Sequence, residues 1–140
     1  MNLSPQCKVA SVERFSMANG VTISPDKKTV FVNDPLEMKI TALSRNMENG
    51  ELSKLYDINL PTLVDNIEYD DEADEIILGT IIPGGIAVSS QTGSNNQWIT
   101  KGVLSHDEKK LKQISAAARI GNSKIVLGSP FSEGILVCSN

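Results

Sequence analysis

Short alternating strands recur in this chain at a spacing of about 45 to 50 residues, the period of four-stranded propeller blades. The first copy runs from Val21-Thr22-Ile23 through Thr29-Val30-Phe31-Val32-Asn33 and Lys39-Ile40-Thr41-Ala42-Leu43-Ser44 to residues 52–58. Turn chemistry separates these runs: Ser24-Pro25-Asp26-Lys27-Lys28, then Asp34-Pro35, where proline removes a ladder donor, then Glu48-Asn49-Gly50. The pattern restarts with residues 65–69, 75–79, 85–88 and 97–103, and again with residues 114–120, 124–128 and 134–138. Phe31, Leu78 and Leu127 align as one repeat position, and Ile40, Ile86 and Ile135 as another. The expected fold is therefore all-β, a partial β-propeller of about three four-stranded blades. A sandwich of short hairpins has strands at similar spacing and is the alternative. Residues 6–15 alternate weakly, as an extra strand would, and residues 107–112 suit one turn of helix.

About three blades cannot close a ring, so strand edges and one side of the channel are left open for something to cover. The 140 residues have room for one domain and no second of ordinary size. Thirteen basic and seventeen acidic residues give a net charge of -4, with no basic block to follow a phosphate backbone, so nucleic acid is excluded as a partner. No run approaches the roughly 18 apolar residues of a transmembrane segment, and residues 1–15 lack the apolar centre of a secretory signal. Cys7 and Cys138 lie near opposite ends without metal-ligand spacing. They are either a bridge closing a long loop in an oxidising compartment or two unpaired thiols.

The chemistry-bearing residues stand where loops enter strands. Asn19 precedes Gly20-Val21, and Asp65-Asn66 precede Ile67. All three carry hard oxygen donors on short stems, which suit calcium better than softer metals. At matching places before the first strand of successive blades, they would face one axis. Calcium takes about 6 to 8 oxygens, so three side chains leave its shell half empty. Plainer roles exist: Asn19 before Gly20 suits a left-handed turn, and Asp65-Asn66 suit hydrogen bonding to backbone amides at strand entry. His106, the only histidine, lies among Ser, Asp and Glu and reads as a solvated loop residue. Residues 70–75 are an acidic turn without EF-hand spacing. Ser129 and Ser132 lack a Gly-x-Ser-x-Gly setting, and Trp98 reads as a partly buried blade residue.

Residues 15–26, residues 62–67 and the run Lys124-Ile125-Val126-Leu127-Gly128-Ser129-Pro130-Phe131 with Cys138 resemble the C-terminal portion of the paraoxonase/arylesterase family. The resemblance covers the chain from about residue 12 onward. It implies a six-bladed propeller with two calcium ions in its channel, hydrolysing aryl esters and lactones. One ion polarises the substrate carbonyl while histidines help to activate water. Residue by residue, Asn19, Asp65 and Asn66 match three side chains that hold the catalytic ion, Phe131 matches an aromatic of the substrate pocket, and Cys138 matches a cysteine bridged to the start of the chain.

The departures are specific. The family's calcium-binding glutamate, a further asparagine, the histidine dyad and the structural-calcium ligands belong to an N-terminal half that these residues do not match. Ile81 stands where the family has another histidine, and Cys7 is not at the matching cysteine position. The expectation is that residues 1–140 are the C-terminal part of such a propeller, inactive alone and completed by a second chain or by missing blades. A small ester or lactone is the expected substrate of the complete protein, with a secreted or membrane-associated location. The alternative is a non-catalytic propeller fragment acting in protein assembly.

Overall fold

The strands pair with their neighbours in sequence, as short antiparallel meanders do. A computed structural model describes residues 7–81, 85–92, 97–105, 113–121 and 123–139. β1 (Val21–Ile23), β2 (Thr29–Asp34), β3 (Lys39–Arg45) and β4 (Leu52–Asn59) form one sheet in that order. β5 (Val64–Asp70), β6 (Glu75–Thr80), β7 (Gly85–Thr92) and β8 (Gln97–Ser105) form a second. β9 (Ala116–Ile120), β10 (Lys124–Gly128) and β11 (Leu136–Ser139) form a third, three-stranded one. No helix occurs among the described residues, and the three small sheets are consecutive blades of a partial propeller.

Two apolar layers hold the blades together. Phe31, Ile40, Ala42 and Ile58 of the first sheet meet Ile67, Ile76 and Leu78 of the second. The opposite face of the second sheet, with Ile77, Ile86 and Val88, meets Ile114, Ala117 and Leu127. Each blade thus sends alternate side chains forward and backward, the period-2 pattern of a strand buried on both sides. Trp98 packs partly buried against the first layer, edge-on to Phe31 with ring centroids 5.7 Å apart.

This geometry corrects one alignment. Phe31 faces forward from its sheet, whereas Leu78 and Leu127 face backward. Register makes Val32, paired with Val21, the counterpart of Leu78 and Leu127, which pair with Ile67 and Ala117. Phe31 corresponds to Ile77. Ile40, Ile86 and Ile135 do fall in line, and the third of them shows what a missing neighbour does. Ile40 and Ile86 are 0% and 2% exposed, but Ile135 is 72% exposed because no described sheet lies in front of it.

The strand expected at residues 6–15 does not form: its described part, residues 7–15, is irregular. Val9 and Val12 have no sheet face to bury against and stand exposed. The segment is anchored instead where Leu52 N donates to Ala10 O at 2.7 Å. His106 and the helical turn expected at 107–112 lie outside the described residues.

Candidate functional site

The first two blades each enter their first strand through an irregularity. At the second sheet the register shifts between Val64 and Ile67, so Asp65 and Asn66 together oppose a single residue, Gly79. At the first, Asn19 N donates to Asn33 O at 3.0 Å and Asn33 N to Gly20 O at 2.8 Å, so Asn19 and Gly20 share one partner. Such bulges bend a strand and re-aim its side chains. Because β1 packs on β5, the two irregularities lie against each other.

Contact between them is close. A Cβ on Gly20 would sit 2.9 Å from Ile67 N, 3.0 Å from Asn66 Cα and 3.1 Å from Asp65 O, so only glycine fits there. Asn19 Nδ2 donates to Asp65 Oδ1 at 2.7 Å, joining two of the three residues expected to hold a metal. Asn66 shares the bulge, and its backbone N–H is taken up by Ser115 O of the third blade's entry at 3.0 Å. Asp65 thus accepts from a side chain of the neighbouring blade rather than capping a local backbone amide. Among the described residues no three His, Cys, Asp or Glu side chains gather. What meets across the blade boundary is one carboxylate, Asp65, and one carboxamide, Asn19, hard oxygen groups of the kind that fit a hard cation, while Asn66 is placed beside them by its backbone.

Buried polar groups brace the bulges from behind. Asn33, fully buried, donates from Nδ2 to both Val64 O and Asp65 O at 2.8 Å. Among the described residues its Oδ1 has no hydrogen-bond partner, a cost on the order of 1–3 kcal/mol by itself. The neighbouring Asp34, also fully buried, accepts from Ser16 N at 2.7 Å and Met17 N at 3.1 Å and so fixes the segment leading to Asn19. Neither residue was singled out from the sequence. An asparagine inside a β-branched run, where asparagine is disfavoured, was the available signal.

Asn19 and Asp65 lie at the polar part of a cavity of about 370 Å³. Met17, Leu36, Leu63, Ile81 and Phe131 supply apolar walls. Phe131, which the resemblance expects in the substrate pocket, lines the same cavity as Asn19 and Asp65 and is 65% exposed. Ile81, where the resemblance expects a histidine, also lines this cavity.

Other groups serve the framework. The acidic turn is organised by Asp70, whose Oδ1 accepts from Glu72 N and Ala73 N, while Arg119 Nε approaches its Oδ2 at 2.9 Å. Burial, aided by the hydrogen bond to Asp74, pushes the Tyr69 hydroxyl well above the usual tyrosine range. Cys7 is exposed, Cys138 packs half-buried against the second apolar layer, and both are free thiols.

The class of protein is thus a partial propeller whose first two blades bring Asn19 and Asp65 together beside an apolar cavity. Residues 2–110 match the model of the arylesterase family, and the chain belongs to that family. It is 40% identical over 76 residues to the dog (Canis lupus familiaris) protein named serum paraoxonase/arylesterase 2, a match covering 54% of this chain and 21% of the relative. To rabbit (Oryctolagus cuniculus) serum paraoxonase/lactonase 3 it is 37% identical over the same coverage. Human serum paraoxonase/arylesterase 1 matches more of the chain, 27% identical over 136 residues, which are 88% of this chain and 38% of the relative. The chain therefore spans well under half the length of these relatives. Among the described residues, no helix is long and apolar enough to cross a membrane.

Proposed function

We propose that this chain is the C-terminal part of a calcium-dependent hydrolase of aryl esters and lactones. In this reading Asn19, Asp65 and Asn66 hold the ion and Phe131 forms part of the substrate wall. The observation that carries it is the 2.7 Å contact between Asn19 and Asp65 beside the apolar cavity. Residues from two blades converge there, on hard donors that suit calcium. When bound, calcium supplies Lewis-acid polarisation of a carbonyl oxygen. Met17, Leu36, Leu63, Ile81 and Phe131 offer an apolar surface for an aryl or acyl group and exclude water from it. Asp65 brings the negative charge of the donor set, and Asn19 orients it through the shared hydrogen bond.

The same residues account for inactivity of the chain alone. Ile81 cannot accept a proton, and three side chains supply only about half of a calcium shell of about 6 to 8 oxygens. The remaining donors and the base come from further blades, on a longer chain or a second one. The secretory pathway, with its millimolar-range calcium sites, is the matching location. A direct test mixes the 140-residue chain with phenyl acetate or a lactone, with and without calcium, beside a form carrying the additional blades. Only the extended form should hydrolyse, and calcium-independent turnover by it would overturn the reading.

A second reading is assembly without catalysis. The exposed Ile135 and Val137, 72% and 53% open on the unpaired face of the third blade, favour it. An extended form that binds calcium and partners but hydrolyses neither substrate would select this reading.

A further inference from the structure

We propose that Asn33 is the positioning residue of the oxygen cluster. It sets the shape of the Asp65–Asn66 bulge from the neighbouring blade, and so decides whether donors from two sheets meet at one ion. This rests on the calcium reading given above. Asn33 lies on β2, fully buried, and reaches across the blade boundary with both N–H groups of its carboxamide. They end on two consecutive carbonyls, Val64 O and Asp65 O, each at 2.8 Å. A bulge interrupts the sheet ladder where these carbonyls stand, so some other donor must satisfy them. Gripping adjacent peptides fixes the planes on either side of the Asp65 Cα, and with them the direction in which its side chain leaves the backbone.

The backbone of Asn33 works in the same direction. Its N–H and C=O hold Gly20 and Asn19, the residues that face the bulge. One residue therefore ties down both halves of the Asn19–Asp65 pair, by main chain on one side and side chain on the other. Among the described residues Oδ1 accepts no hydrogen bond, so the two donated bonds are what the carboxamide adds. Serine or threonine, with a single donor, can grip one carbonyl and not two.

Calorimetric titration of calcium into the full chain tests this, together with hydrogen exchange at the Asn66 amide and the Asn19 side-chain NMR signals in calcium-free buffer. Asn33→Ala should weaken calcium binding by about 10- to 100-fold, as loss of a supporting residue does, and should speed exchange at Asn66. Asn33→Thr, which suits a strand and keeps one donor, should fall between Asn33→Ala and wild type. Ile76→Val, in the same apolar layer but away from the bulge, should lower the melting temperature and leave calcium affinity within about twofold. If Asn33→Ala and Asn33→Thr match wild type in affinity, exchange and Asn19 shifts, or if Ile76→Val weakens calcium as much as they do, Asn33 is only a core residue. A wild-type chain that takes up no calcium would defeat the metal reading. Asn33 would then stand or fall on the exchange and Asn19 signals, measured without the ion.

Discussion

Asn19 and Asp65, 46 positions apart in sequence, are joined by a 2.7 Å hydrogen bond across the boundary between the first two blades. The bond holds the two side chains beside one cavity, and in the proposed calcium reading Asp65 supplies the negative charge. Saturating calcium, about 100-fold over its dissociation constant, stabilises a folded protein that binds it by about 2.7 kcal/mol. Thermal melts of the wild-type chain should rise accordingly with added calcium, and Asp65→Asn should lose the rise. Equal shifts in both proteins would place the ion elsewhere.

Gly20 governs how closely the blades approach. Its absent side chain leaves room for Ile67 N, which an added Cβ would meet at 2.9 Å. Gly20→Ala should therefore destabilise by about 1–3 kcal/mol, the usual cost of overpacking against groups that cannot yield. Gly102→Ala, where nothing lies within 4 Å, provides the contrast and should change stability by no more than about 0.5 kcal/mol. Urea unfolding of the two variants measures both.

Asp57 predicts an acid limb in the stability profile. Burial works to raise its pKa, but hydrogen bonds from Lys54 at 2.7 Å and Thr41 at 2.8 Å, with the charge of Lys39, outweigh it and hold the carboxyl below its ordinary value. A carboxyl that is more acidic when folded gives stability that is full above the unfolded-state pKa and disappears as pH falls through the folded one. Asp57→Asn should flatten that part of the curve, while leaving its slope near neutral pH unchanged. Denaturant midpoints between about pH 7 and about pH 3 test the sign.

Equivalent isoleucines should behave unequally. Ile86→Ala empties a closed layer and should cost about 2–5 kcal/mol, whereas Ile135→Ala, on the open face, should fall within about 0.5 kcal/mol. Comparable losses would mean that another group covers Ile135 in solution.

Strand order and blade count were legible because turn residues and alternating apolar runs are local signals. Asn19, Asp65 and Asn66 were legible as oxygen donors before strands, but the contact of Asn19 with Asp65, 46 residues apart, is not a local signal. Phe31 fell one residue out of line because strands buried on both faces are apolar at every position, which hides the facing direction. Residues 7–15 alternate, yet alternation yields a strand only where a partner and a face to bury against exist. Asn33 escaped notice since its importance lies in carbonyls 31 and 32 residues away, a relation that no local pattern contains.

The oxygen cluster spans the boundary between the first and second blades, while Phe131 comes from the third sheet's side. The inter-blade bond and the cavity wall can therefore drift apart over evolutionary time. Changes beyond Gly128 can reshape what the cavity admits without disturbing the bonds that gather the donors. A lineage of such blades can alter its chemical tastes while the bond between Asn19 and Asp65 stays as it was.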